Sequence, residues 1–101
     1  GDWIMKKPAT KAEKDHMDAV AALGCIVCRD MGYYDTPAEI HHVLNGGVRA
    51  SHYETIPLCP THHRHGSFGE AVHNGTRTWE ANYGTQRKLL SKTLTLLKNG
   101  A

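Results

Sequence analysis

Ile56-Pro57-Leu58-Cys59-Pro60-Thr61-His62-His63-Arg64 is the stretch on which the fold turns. Its first part is apolar, and Thr55 to Leu58 reads as a short strand. Pro60 presets the φ of a first helical turn. Cys59-Pro60 therefore opens a helix that carries His62, His63 and Arg64 until Gly66 breaks it. Cys59 and His62 are separated by two residues, the spacing of a zinc knuckle, and Cys25-Ile26-Val27-Cys28 repeats that spacing upstream. Together Cys25, Cys28, Cys59 and His62 make a complete tetrahedral set. No position stays open for water, so this Zn²⁺ is expected to be structural. Three buried free cysteines are the plainer alternative. Paired knuckles that use every cysteine in the chain weigh against it, and an odd count suits no disulfide framework.

Working outward, Thr10-Lys11-Ala12-Glu13 is a capping box, and a helix should follow to Leu23 with Met17, Val20 and Ala21 inward. Gly24 is a natural left-handed stop. Arg29 to Pro37 reads as a loop, Ala38 to Val43 as a short strand, and Asn45-Gly46-Gly47 as a turn. Gly66, Gly69 and Gly75 should leave only irregular helical pieces between them. Thr78 to Tyr83 is expected to be helical, with Trp79 and Tyr83 on one face. Gly84 ends it and Thr85 caps a helix over Gln86 to Lys98, with Leu90, Leu94 and Leu97 as its stripe and Leu89 widening it. Residues 1–9 read as a leader, 10–98 as one domain and 99–101 as a tail.

A second metal site follows from the paired histidines. His62 and His63 are adjacent on a helix and point about 100° apart. On a strand, His41 and His42 point to opposite faces. If His62 closes the knuckle, one histidine of each pair is free to meet elsewhere. A helical partner for His63 would be Gly66 or Ser67, and neither is a good ligand; His65 faces away. His73, beyond the glycine breaks, is the favoured third ligand.

Glu39-Ile40-His41-His42, a Gly-rich loop, and Ile56 through Arg64 resemble an HNH endonuclease. That resemblance implies an α+β fold: a small ββα-metal (HNH, His-Me finger) core with a structural zinc knuckle and flanking N- and C-terminal helices. It also implies His42 as general base and His41 and His63 as ligands of a catalytic divalent cation (Mg²⁺, Mn²⁺ or Zn²⁺). Asp35 to His42, Ile56 to Arg64, and Trp79-Glu80 through Tyr83-Gly84-Thr85-Gln86 are more closely similar to phage recombination-enhancement (Ref-type) nucleases, over roughly residues 18 to 90. This implies DNA as substrate, RecA-DNA filaments as partner, a role in phage DNA recombination and work in the cytoplasm of the bacterial host. The chain departs from the HNH pattern five residues before Cys59. Glu54 stands where such enzymes often carry asparagine, and Asn45, Ser51 and His52 are all open as substitutes.

Composition narrows the alternatives. Hydrophobic content of 40% and charged content of 22% fit a folded domain rather than a disordered one. No apolar run approaches the 18 residues or so of a membrane span, and no apolar signal core is present. A net charge of +2 is too small to announce a nucleic-acid binder alone. Arg49, Arg64, Arg77, Arg87 and Lys88 could line a phosphate path. Arg64 is favoured because it adjoins His63, and Arg49 because it follows the glycine turn. His16 and His52 read as surface histidines, and the Trp79, Tyr83 and leucine positions as core. The competing function is a non-catalytic zinc-knuckle module that binds nucleic acid or protein. It accounts for Cys25, Cys28, Cys59 and His62 but leaves His41, His42 and His63 without employment. Oligomeric state and cleavage specificity have no signature in the sequence.

Overall fold

In the computed structural model, residues 8–46 and 48–100 are described. The leader expected over 1–9 lies outside them except for Pro8 and Ala9, as do Gly47 of the expected turn and Ala101 of the tail. The chain is a small α+β structure. Helix α1 (Lys11–Ala22) and a one-turn helix α2 (Ile26–Asp30) come first. Strand β1 (Glu39–His42), the two-residue strands β2 (Leu44–Asn45) and β3 (Val48–Arg49), and strand β4 (Thr55–Leu58) follow. A π-helical turn (Thr61–His65), helix α3 (Thr76–Tyr83) and helix α4 (Gln86–Lys98) complete the order.

β1 and β4 pair antiparallel, with His41 opposite Ile56 and His42 opposite Thr55. β2 and β3 form a separate small hairpin. All four residues of β4 are buried. The strand is covered on both sides, since α1, α2 and α4 all pack against it. Pro57 is tolerated there because each strand of a two-stranded sheet has a free edge. Val20, Ile26, Val27, Ile56, Leu58, Trp79 and Leu89 fill the interior, and the three cysteines lie in the same cluster.

The expected capping box is present. Glu13 N–H donates to Thr10 Oγ1 at 3.1 Å and Thr10 N–H to Glu13 Oε1 at 2.8 Å, an arrangement worth about 1 kcal/mol. α1 ends at Gly24, whose φ is +78°. A Cβ there would stand 2.8 Å from the Tyr34 carbonyl oxygen, so left-handed conformation and close approach both require glycine. Cys25 N–H then donates to Thr36 O at 2.9 Å, which pins the first knuckle beside the start of β1.

Several local expectations are corrected. Arg29 and Asp30 belong to α2 rather than to a loop. The helix after Cys59 is one wide turn, closed by Gly66 N–H to Thr61 O at 2.9 Å, an i to i+5 bond. Residues 66–75 form turns rather than helical pieces, and α3 begins at Thr76, two residues earlier than expected. α4 has the expected bounds but a different inward face. Gln86, Leu89, Leu90 and Thr93 are buried while Leu94 is 40% exposed. Thr93 can point inward because its hydroxyl donates to Leu89 O at 2.8 Å. Among the described residues no helix is long and apolar enough to cross a membrane.

Candidate metal centres and active site

Cys25, Cys28, Cys59 and His62 are all buried, with their ligand atoms within 4.8 Å of one another. His62 Nδ1 lies 3.8, 3.6 and 3.2 Å from the sulfurs of Cys25, Cys28 and Cys59, and the Cys28 and Cys59 sulfurs are 3.9 Å apart. Ligands placed tetrahedrally on zinc lie about 3.5 Å apart from sulfur to nitrogen and about 3.8 Å from sulfur to sulfur. The cluster therefore fits a zinc ion in composition and in spacing. Burial pushes the Cys25 thiol up to about 12. Such a thiol stays protonated unless a cation draws out the thiolate, and a metal would supply that cation. The Cys28 N–H, 3.5 Å from Cys25 Sγ, offers the sulfur a backbone donor as well.

The second cluster comprises His41, His63 and His73. Alternation along β1 puts Glu39 and His41 on one face, and His63 projects from the π-helical turn against both. The ring centroid of His63 is 5.3 Å from that of His41 and 4.7 Å from that of His73. His73 returns to the site because the 72–73 backbone lies along the π-helical turn. Val72 N–H donates to His62 O at 2.9 Å and His73 N–H to His63 O at 3.1 Å. Sequence spacing alone has no means of showing that pairing.

The ring tautomers follow from the partners. Glu39 Oε1 lies 2.8 Å from His63 Nδ1, so that nitrogen donates and Nε2 keeps its lone pair. That Nε2 is 3.1 Å from His73 Nε2. Two nitrogens bound to one ion at adjacent positions lie roughly 3.0–3.4 Å apart, so the pair has metal-ligand spacing. Leu44 N–H donates to Gln86 Oε1 at 3.2 Å, which identifies that atom as the oxygen. His41 Nε2, 2.9 Å from the same oxygen, must therefore donate, and its lone pair is on Nδ1. Burial lowers the His41 pKa to about 4, and burial also lowers that of His73. Both rings are thus held neutral, the form in which imidazole binds metal.

Glu39 is held by more than His63. Arg64 Nε donates to its Oε1 at 2.9 Å and Arg64 Nη2 to its Oε2 at 2.6 Å. This fork, with the His63 bond next in weight, lowers the Glu39 pKa to about 2. Arg64, favoured from the sequence as a phosphate contact, is occupied by this carboxylate.

His42 lies on the other face of β1. Its Nε2 is 2.8 Å from His52 Nδ1. Arg49 Nη2 is 2.7 Å from His42 Nδ1 and 3.4 Å from Nε2. A donor aligned with the Nδ1 lone pair in the ring plane would stand much farther from Nε2. The guanidinium therefore lies over the ring face and leaves the in-plane lone pair open. Burial, then the charges of Arg49 and His52, lower the His42 pKa. A cavity of about 330 Å³ is lined by Ile40, His41, His42, Leu44, Arg49, His63 and His73. A larger recess of about 490 Å³ lies between α2 and α4, and its one potential ligand, Asp30, pairs with Lys92.

All the site residues expected from the sequence thus fall into two clusters and their immediate surroundings. Two neighbours of these clusters were missed, and a third was left open. Glu39 was legible in principle, two residues before His41 on the same strand face. Gln86 reaches His41 from 45 positions away and leaves no local signal. His52 read as a surface histidine and, with Asn45 and Ser51, as an open substitute for the HNH asparagine.

A family model described as recombination enhancement, RecA-dependent nuclease matches residues 9–98, a span that contains α1, both ligand clusters and α4.

Proposed function

The chain belongs to the recombination-enhancement, RecA-dependent nuclease family, and from that premise we propose that it is a metal-dependent DNA endonuclease built on an HNH (ββα-metal) core. In this reading β1, β4 and the π-helical turn are the ββα unit. The observation that carries it is the three-histidine cluster of His41, His63 and His73 beside His42 in one cavity. A zinc-knuckle binding module has no use for that second cluster.

His41, His63 and His73 would hold a divalent cation, with Mg²⁺, Mn²⁺ and Zn²⁺ as candidates. Bound there, such an ion supplies Lewis-acid stabilisation of charge on the scissile phosphate and the leaving oxygen. The remaining work belongs to the chain's own groups. His42, kept neutral by its lowered pKa, accepts a proton from water at Nδ1. The water oxygen attacks phosphorus, the bond to the 3′ oxygen breaks, and that oxygen takes a proton from solvent. Arg49, exposed above the His42 ring, is placed to receive a phosphate oxygen. Glu39 and Gln86 fix the ligand rings of His63 and His41. The family's description gives RecA dependence, and in this reading the DNA cut is a strand engaged by a RecA filament.

Metal counting tests this reading. The wild-type chain should bind two metal equivalents, and His63→Ala should lose one, together with plasmid cutting in Mg²⁺ or Mn²⁺ with RecA filaments. A wild-type chain that binds a single equivalent and never cuts would support the binding module instead.

A further inference from the structure

The general base needs its lone pair on the nitrogen that faces the cavity, and a free imidazole does not choose between its two tautomers. His42 Nε2 is already engaged, 2.8 Å from His52 Nδ1. One of those two nitrogens must carry the shared hydrogen. If His52 donates, neutral His42 must hold its own hydrogen on Nδ1, and it has no lone pair left for water. If His42 donates, Nδ1 is free to accept. Only the second arrangement is compatible with a base.

The alternatives for holding His42 are otherwise employed. Glu54 and Asn45 both pair with Arg87. Ser51 Oγ accepts from Tyr53 N–H at 3.2 Å. His52 is itself held, since Thr55 Oγ1 donates to its carbonyl at 3.2 Å and Thr55 is the residue opposite His42 in the strand pair. A recess of about 260 Å³ is lined by His42, His52 and Glu13 of α1.

We propose that His52 is the positioning residue of the hydrolytic reaction: its Nδ1 accepts from the Nε2–H of His42 and so fixes the lone pair of the base on Nδ1, toward the cavity. The proposal rests on His42 being the base. It gives His52 the orienting task that falls to the third member of hydrolytic triads, here performed by a second imidazole.

Single-turnover cleavage of DNA in RecA filaments with Mg²⁺ or Mn²⁺ tests it, with metal content and thermal unfolding measured on every variant. His52→Ala should cut about 10- to 100-fold more slowly, with affinity for the filament DNA and both metal equivalents little changed. His52→Gln should recover most of the loss, because an amide oxygen can still accept from Nε2–H. His42→Ala cutting at the wild-type rate would overturn the base assignment and this inference with it. His42→Ala inactive with His52→Ala at the wild-type rate would overturn the role of His52 alone. A His52→Gln as slow as His52→Ala, both folded and metal-loaded, would also overturn it.

Discussion

Replacing Gln86 by leucine should damage the three-histidine site from a residue that touches no metal. Gln86 Oε1 receives two hydrogens, from His41 Nε2 at 2.9 Å and from Leu44 N at 3.2 Å. Leucine has similar bulk and accepts neither. His41 is only 2% exposed, so its stranded N–H loses its partner without gaining water. An unsatisfied buried donor costs about 1–3 kcal/mol, and the half-buried Leu44 N–H recovers part of its loss from solvent. Together the two should lower stability by about 2–4 kcal/mol, read from urea unfolding with the knuckle zinc retained. The metal effect is separable. Without its acceptor, His41 can rotate or place its hydrogen on Nδ1, and affinity at the second site should fall about 10- to 100-fold. Mn²⁺ titration calorimetry measures that affinity. Gln86→Glu, which keeps an acceptor oxygen, should retain most of it. A Gln86→Leu chain that binds the second ion as tightly as wild type would refute the reasoning that tautomer and orientation at His41 are set from α4.

Three further outcomes follow from the geometry. Cys28→Ser should release the knuckle metal and unfold the chain at ordinary temperature, because α1, α2 and β4 lose their shared tie; circular dichroism with metal analysis reads both effects, and a folded zinc-free variant would contradict it. Arg64→Ala should weaken the second metal site more than it weakens DNA binding, since its guanidinium is spent on Glu39; metal titration and DNA titration on the same variant give the ratio. His41 supplies a pH dependence for protein with zinc only in the knuckle. The unfolded ring protonates near pH 6.5 and the folded ring only near pH 4, so the unfolded state binds more protons in between and falling pH favours unfolding. Relative to His41→Gln, wild type should lose about 2 kcal/mol of stability between neutral pH and pH 5, and a flat difference would be inconsistent with a buried neutral His41.

The parts of this site that the sequence disclosed are those encoded by short spacing. Two residues between Cys25 and Cys28, and two between Cys59 and His62, pointed to one four-ligand set, and the structure brings those four side chains together. Adjacent histidines on a strand must diverge, and His41 and His42 do. The capping box at Thr10 and the helix over Gln86 to Lys98 are likewise local patterns. What escaped is non-local or runs against residue type. Gln86 and Thr93 are polar, so a hydrophobic stripe drew Leu94 inward instead. The Gln86 side-chain oxygen accepts from His41 and Leu44 and the Thr93 hydroxyl donates to Leu89 O, and periodicity carries no such information. β2 and β3 have two residues each, too few for any alternation to register. Spacing could not choose His52 over Asn45 and Ser51, because the choice lies in its distance from His42, which the turn between β3 and β4 sets.

The central claim is that His42 removes the proton from the attacking water. Single-turnover cleavage by wild type and His42→Ala, each shown to carry two metal equivalents and to bind RecA-filament DNA equally, tests it most directly. The account predicts a loss of about 10²- to 10⁴-fold in the cleavage rate with binding unchanged. Equal rates for the two proteins would contradict it.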